Sequence, residues 1–309
     1  MFAQFPKAAL LPILATTLTA CGGGSSSPVP FTSMSELPAD GAVELQGQAH
    51  TAAYTTNSAD GTTTFSEPSE SQDSSITITY EDGRPTGISA SAGDSKFRFG
   101  SHKLEAVEVY QDTINFYIEA EDDSDYGYDY HRDPGSAKFA NSGSMNLDHM
   151  TFGTWYDIDR ESPIASAGHY GAPTPKAAVP SSGTASYRGK GFGIANHDGI
   201  HNETNFDVAV TTSDFSAISV QSSNTTWREG GVKKLNDGTR QIVHDASALD
   251  FSGTGQIDGS GFNANLTSSA AGTGTATGSF YGPNAEEVGG SFAISGSGST
   301  HIGAFGASR

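Results

Sequence analysis

Apolar and polar positions alternate in short stretches along most of the chain. Residues 76–80 and 114–118 are clear examples, and near the C-terminus Ala276, Gly278 and Phe280 interleave with threonine and serine. A period of two is that of a β-strand with one buried face. Stretches with the helical period are almost absent, so the sequence predicts an all-β protein.

The alternating stretches form two groups, separated by residues 122–143, where charge, glycine and Pro134 interrupt the pattern. The first group predicts a small N-terminal antiparallel sheet, with strands at 44–54, 74–80, 87–91, 96–99, 104–110 and 113–119. The second group predicts barrel strands at 145–158, 183–195, 204–212, 215–222, 248–257, 261–267, 274–281 and 288–295, with a closing tail at 300–305. Strands of this number and length fit an eight-stranded antiparallel β-barrel filled with side chains. We therefore expect an N-terminal β region over 41–143 and a barrel domain over 144–309.

Composition agrees with many short strands and restricts the partners. Glycine occupies 38 of 309 positions, well above its usual share of about 7%. The formal net charge of −19 repels nucleic acid and anionic lipid, so we expect no nucleic-acid partner. The acidity either attracts basic partners or only keeps an exported protein soluble. A barrel that spans a membrane would need a lipid-facing apolar band, whereas residues 261–267 alternate asparagine and threonine with small and apolar residues.

The N-terminus has the features of an export signal over residues 1–20. A single basic residue, Lys7, precedes the apolar run 8–18, which is too short to span a bilayer as a helix. The sequence Leu-Thr-Ala-Cys-Gly around Cys21 resembles the bacterial lipobox, in which diacylglycerol is attached to the cysteine. Cys21 is the only cysteine, so it has no disulfide partner within the chain. The alternative is an ordinary secretory signal beside an unrelated cysteine.

The residues after Cys21 fit a membrane tether. Residues 22–30 are glycine, serine, proline and valine, and we interpret 21–40 as a flexible tether. As a coil it would hold the folded part on the order of 25 Å from the membrane. Several acyl chains at Cys21 would make the attachment effectively irreversible.

The C-terminal part carries a specific motif. Residues 278–292 read GSFYGPNAEEVGGSF, in which Pro283 and its flanking glycines predict a tight turn between two strands, and the chain ends IGAFGASR. Both segments resemble the barrel domain of bacterial transferrin-binding-protein-B-like surface lipoproteins. Residues 152–156, 187–192 and 249–253 look like further strands of that barrel, so the resemblance covers about residues 145–309.

The resemblance implies a lipid-anchored binding protein of the outer membrane, displayed on the cell surface. Its ligand would be a host or environmental metal-carrying protein, or haem, passed on to an outer-membrane transporter. Two alternatives remain: a structural or effector-type lipoprotein that uses the barrel as a carrier or export module, and a soluble haem carrier. No ligand-contact motif of the family aligns here, so no binding residue is carried over.

Three groups of residues are candidate ligand contacts. The acidic stretch 119–133 contains Tyr126, Tyr128 and Tyr130, and exposed tyrosines supply contact area at low entropic cost. The stretch lacks calcium-loop spacing, and dense acids are usually solvated, so we expect no metal site there.

The second group is histidine and the third surrounds a tryptophan. His169, His197 and His201 are predicted in loops, where they either meet a haem iron or remain solvated. Trp227 and Arg228 fall in the locally basic stretch 222–240, predicted as a long loop, where the tryptophan is either an exposed contact residue or packed onto the barrel.

Catalysis has little support in the sequence. No nucleophile elbow, zinc-protease helix or paired-carboxylate motif occurs, and the glycine-rich segment 272–278 lacks the lysine of a phosphate loop. We therefore predict no enzyme activity and no resident cofactor, with haem considered only as a ligand.

Overall fold

The computed structural model describes residues 29–309, apart from 58, 60, 101–104, 119–135, 158–162, 198–199, 229–242 and 297. Its described residues form two β structures, antiparallel except for the pairing of Val29–Pro30 with Val43 and Glu44, and short 3₁₀ helices, with no α-helix among them. The predicted all-β class is confirmed. No helix in this part of the chain has both the length and the apolarity needed to cross a membrane.

The first structure is an open, curled sheet of eleven strands. Its strands are β1 (Val29–Pro30), β2 (Gly41–Thr56), β3 (Thr63–Phe65), β4 (Gln72–Glu81), β5 (Arg84–Ala92), β6 (Ser95–Phe99), β7 (Glu105–Val109), β8 (Thr113–Ile118), β9 (Ser136–Ala140), β10 (Met150–Asp157) and β11 (Ile164–Gly171). The order across the sheet is β6-β5-β4-β2-β11-β10-β9-β8-β7, while β1 and β3 pair with β2. The strands predicted in the N-terminal half are confirmed.

Alternation along these strands builds one core inside the curl. In β4, Ile76 and Ile78 are buried while the threonines between them are partly exposed. The sheet curls far enough for Phe99 of β6 to contact Phe116 of β8, with ring centroids 5.4 Å apart. Trp155 of β10 is fully buried in the same core.

The second structure is a closed eight-stranded barrel, which confirms the predicted architecture. Its strands are β12 (Ala185–His197), β13 (Ile200–Thr212), β14 (Ala217–Arg228), β16 (Phe251–Asp258), β17 (Gly261–Ser268), β18 (Gly272–Tyr281), β19 (Glu287–Gly296) and β20 (Ser299–Ser308). The order β13-β12-β20-β19-β18-β17-β16-β14 is closed by pairing of β13 with β14. A short additional strand, β15 (Val243–Asp245), pairs with the end of β14.

Aromatic side chains fill the barrel. Phe206, Phe251 and Phe292 contact one another, with centroid distances between 4.4 and 5.7 Å. His301 lies fully buried beside them, and its Nε2 is 2.9 Å from the Thr204 hydroxyl. The interior is therefore packed, as expected for a barrel of this size.

One predicted barrel strand belongs instead to the first sheet. The predicted barrel strand 145–158 corresponds to β10, which pairs with β9 and β11 in the first sheet, so its assignment to the barrel is wrong. Nearly every residue of β10 and β11 is buried, because one face covers the core of the sheet and the other covers the barrel. A strand buried on both faces lacks the alternation of apolar and polar residues, so the sequence does not show which sheet it belongs to. The domain limits drawn at residues 143 and 144 stay a prediction.

Short 3₁₀ helices connect some strands. They are Met34–Glu36, Ser142–Met145, Lys176–Ala178 and Ser247–Leu249.

Candidate functional site

The outer face of the sheet packs directly onto the barrel, because small residues allow close approach. Phe152 of β10 lies against Phe192 of β12, with centroids 5.0 Å apart. A Cβ on Gly306 would lie 2.8 Å from the Phe152 ring, and one on Gly289 would lie 2.3 Å from the Met150 methyl. These glycines are therefore places where the two domains touch.

The predicted turn of the C-terminal motif is confirmed, and it forms part of this junction. Gly282 has a φ of +83° and β18 and β19 pair on either side, with Tyr281 opposite Glu287. The buried Glu287 carboxylate accepts hydrogen bonds from the backbone N–H groups of Asp148, at 2.5 Å, and His149, at 3.1 Å. Burial raises the pKa of Glu287, and the two backbone donors oppose that rise. The turn is thus hydrogen-bonded to residues 148 and 149, which immediately precede strand β10 of the first sheet.

Two buried histidines of the first sheet face the barrel at the same junction. His169 of β11 has its Nδ1 2.6 Å from the Tyr281 hydroxyl, and His50 of β2 has its Nδ1 3.1 Å from the Ser291 hydroxyl. Neither Nε2 atom has a hydrogen-bond partner among the described residues. Burial lowers the pKa of His50 to about 4, and burial together with nearby His50 lowers the pKa of His169 to about 3. Both rings are therefore neutral structural groups at physiological pH.

The candidate histidines lie in strands, so their assignment to loops is wrong. His169 is in β11, whose glycine and alanine content hid its strand character. His197 ends β12, where its Nδ1 is 2.9 Å from the Ser299 hydroxyl, and His201 is in β13, where its Nε2 is 2.9 Å from the Tyr156 hydroxyl.

The structure does not bring His197 and His201 together on one face. His197 is paired with Ile200, and His201 follows one residue later, so the two side chains point to opposite sides of the barrel wall. His201 instead joins an aromatic cluster at the junction with Tyr54 and Phe65, at centroid distances of 5.2 and 5.4 Å. Among the described residues, no group of three or more histidine, cysteine or acidic side chains is arranged to hold a metal ion.

Trp227 lies near the end of β14, so its assignment to a loop is wrong. Its ring stacks on His244 of β15, with centroids 4.1 Å apart and planes 12° from parallel. One side of the tryptophan packs against the barrel core, yet the ring remains partly exposed. Val243 beside it is 54% exposed, and Arg228 pairs with Val243 at the end of β14. We call Trp227 and His244 the tryptophan patch; the side chain of Val243, the residue before His244 in β15, points to the opposite face.

Other candidates lie outside the described residues. These are Cys21, Tyr126, Tyr128 and Tyr130. Their roles stay predictions.

Sequence reasoning missed the junction residues His50, Tyr281 and Glu287. The motif identified Tyr281 and Glu287 as part of a turn, but no local signal showed that their partners are about 110 and 140 residues earlier in the chain. His50 stands in a stretch of alternating residues, where a buried polar side chain cannot be distinguished from an exposed one.

Similarity to known proteins is found among solved structures and with one protein family. A search of curated proteins finds no match. Solved structures with similarity include a double mutant of the vaccine antigen transferrin binding protein B from Haemophilus parasuis Hp5, at 13% identity and a TM-score of 0.44, with 86% of this chain and 76% of that chain covered. Isotype 1 transferrin binding protein B from serogroup B Neisseria meningitidis has 15% identity and a TM-score of 0.36, with coverage of 88% and 77%. The N-lobe domain of lactoferrin binding protein B of Moraxella bovis has 10% identity and a TM-score of 0.34, with coverage of 85% and 98%.

The sequence match is confined to the C-terminal part. Residues 179–309 match the family described as C-lobe and N-lobe beta barrels of Tf-binding protein B. This range contains the whole closed barrel and the motif turn. The barrel is therefore similar to the barrels of Tf-binding protein B over residues 179–309.

Proposed function

We propose that this protein is a lipid-anchored lipoprotein of the outer membrane that captures a protein ligand at the cell surface. The match of residues 179–309 to the family of Tf-binding protein B barrels is the observation that supports the proposal. The ligand class that follows is a metal-carrying host protein, delivered to an outer-membrane transporter. The protein acts by binding rather than by catalysis.

The tryptophan patch is the contact surface that we propose on the barrel. A partly exposed tryptophan supported from below by core packing and from one side by His244 is rigid before binding, so little side-chain entropy is lost on contact. Tryptophan is also enriched among residues that dominate binding energy.

The geometry favours a protein ligand over haem. His169 is buried and each of His169, His197 and His201 has a side-chain hydroxyl at hydrogen-bond distance. An iron ligand needs an accessible imidazole nitrogen, so coordination at His169 would require the domain junction to open. Haem binding therefore ranks second, and it has its own test below.

Ligand binding is tested with two defined probes, iron-loaded transferrin and haem. Immobilised protein should bind transferrin in surface plasmon resonance, and Trp227→Ala should weaken binding about thirtyfold, the effect of losing about 2 kcal/mol at a hot spot. Trp227→Phe is the matched control, because it keeps an aromatic ring against His244 and should retain most of the affinity. Equal affinity of the alanine variant and the parent would exclude the patch as the contact surface.

Haem is tested by titration in the Soret region. No saturable band is expected at micromolar haem. A band that disappears in alanine variants of His169, His197 or His201 would replace the protein-ligand proposal by haem capture. Absence of binding to either probe would favour the alternative, a structural or effector-type lipoprotein.

The lipid anchor has an independent test. Cys21→Ala should move the protein from the membrane fraction into the detergent-free soluble fraction, because the attachment atom for diacylglycerol is removed. Labelling with palmitate should likewise be lost. Retention of the variant in the membrane would show that Cys21 is not the anchor. Protease treatment of intact cells then reports whether the anchored parent is on the cell surface.

A further inference from the structure

The first sheet has two edge strands, β6 and β7, and one of them is protected. On β6, the outward N–H of Lys96 donates a 2.8 Å hydrogen bond to a carboxylate oxygen of Asp157, a buried side chain from β10. The adjacent Ser95 hydroxyl lies 2.8 Å from the Ser166 hydroxyl of β11. Side chains from other strands therefore occupy this edge, which is a common way of preventing further strand pairing.

Among the described residues, no strand or side chain is hydrogen-bonded to the outer side of the other edge strand, β7. The N–H of Tyr110 donates to Thr113 on the β8 side, and backbone groups alternate in direction along a strand. Val107 and Val109 therefore direct their N–H and C=O groups away from β8. Neither residue has another hydrogen bond within the part of the chain that the structure describes. This edge thus presents unpaired donors and acceptors at regular spacing.

The side chains of β7 specify what could pair there. Val107 packs partly against the core and Val109, two residues on, is 59% exposed on the same face. On the opposite face, Tyr110 is 48% exposed and its hydroxyl donates to the Glu108 carboxylate. The strand reads Glu-Ala-Val-Glu-Val, so it has acidic and apolar positions and no basic one.

We propose that β7 is a docking edge that binds an extended, basic segment of a partner protein by strand addition. The segment would place apolar side chains beside Val107 and Val109 and a lysine or arginine beside Glu108, because cross-strand neighbours on one face interact directly. A second copy of this chain is disfavoured as the occupant, because each copy has a net charge of −19. The edge lies on a different domain from the tryptophan patch, so this inference does not depend on the proposed function.

The test uses two synthetic eight-residue peptides, one alternating valine with lysine and one alternating valine with glutamate. The purified protein should bind the lysine peptide in fluorescence anisotropy, more weakly as salt increases, and should bind the glutamate peptide at least tenfold more weakly. Hydrogen exchange of the Val107 and Val109 amides should slow at least tenfold in the presence of the lysine peptide. Binding without this protection, equal binding of both peptides, or no binding at millimolar peptide would each overturn the proposal.

Variants locate the binding to the edge. Val109→Pro removes an outward N–H without removing a bond to β8, and proline is tolerated on edge strands, so binding should weaken at least tenfold while the fold is kept. Glu108→Gln should weaken binding severalfold and reduce its salt dependence. Thr254→Ala, at an exposed position of β16 on the barrel, is the control and should bind like the parent. Unchanged affinity of Val109→Pro would overturn the proposal. If Val109→Pro misfolds, hydrogen exchange of the Val107 and Val109 amides in the parent is the deciding measurement, and no slowing with the lysine peptide would overturn the proposal. Concentration-dependent dimerisation in light scattering that Val109→Pro abolishes would instead identify a second copy as the occupant and would also overturn it.

Discussion

Acidification should destabilise this protein, because three histidines are buried in the neutral form. Burial lowers the pKa of His50 to about 4 and, as the main cause, the pKa values of His169 and His301 to about 3. In the unfolded chain the same rings take up a proton near pH 6.5. Between pH 6.5 and about 3 the unfolded state therefore binds more protons than the folded state. The stability is fully present above pH 6.5 and is lost progressively as the pH falls through this window.

The magnitude is large enough to measure. At pH 5, a histidine that titrates at 6.5 when unfolded and near 3 when folded lowers the free energy of unfolding by about 2 kcal/mol. A domain is typically stable by about 5–15 kcal/mol, so even one such group matters. His50 and His169 interact, so their contributions are not additive. Glu287 acts in the opposite direction, because burial raises its pKa and protonation removes a buried charge.

His301 is the most suitable residue for the measurement, because it lies inside the barrel and away from the other two. Urea unfolding followed by tryptophan fluorescence gives the free energy of unfolding at pH 7.5 and pH 5.0, at constant ionic strength. The drop between the two pH values should be about 2 kcal/mol smaller in His301→Gln than in the parent, whatever the variant's own stability. Val210→Ala is the control, since it removes buried volume without removing a titrating group and should show the parent's full drop. An equal drop in His301→Gln and in the parent would refute the reasoning.

Two further predictions concern the domain junction. Tyr281→Phe removes the hydroxyl that lies 2.6 Å from His169 Nδ1. The buried imidazole nitrogen loses that partner, so the free energy of unfolding should fall by about 1–3 kcal/mol. An unchanged urea midpoint would contradict the assigned hydrogen bond. Gly306→Ala should lower the free energy of unfolding by about 1–3 kcal/mol, because the added methyl group overpacks against Phe152. Adding Phe152→Leu to this variant should recover part of the loss, measured by thermal unfolding. If nothing is recovered, the strain does not come from the Phe152 ring.

The sequence predicted most strands, because a one-sided core imposes alternation. The strand β4, with buried isoleucines and partly exposed threonines, is an example, and so are the strands around the motif turn, where Pro283 and Gly282 also fix the connection. Where a strand is buried on both faces, this signal disappears. The strand β11 contains His169 between glycine and alanine, and it was predicted as a loop because neither face has a recognisable polar pattern.

The candidate site was predictable only in part. Trp227 was identified as a residue with two alternatives, and the structure combines them, because one side of its ring packs on the barrel core while the ring remains partly exposed. The histidine hypotheses depended on local spacing, whereas the environment of each ring is set by a residue far away in the chain. Ser299 lies 102 residues from His197, and Tyr281 lies 112 residues from His169. Single-sequence spacing does not contain such information.

The turn motif of residues 278–292 makes contacts that stabilise the fold. Tyr281 contacts His169 of the first sheet, and Glu287 accepts a hydrogen bond from the Asp148 N–H just before β10. The Ala285 carbonyl accepts hydrogen bonds from the Tyr187 hydroxyl and from the Arg309 guanidinium. The turn thus joins the barrel, the chain terminus and the preceding domain at one point. The proposed contact surfaces, the tryptophan patch and β7, lie outside the motif. The structural contacts of the turn do not depend on what these two surfaces bind, so the ligand has to be found by experiments on the surfaces themselves.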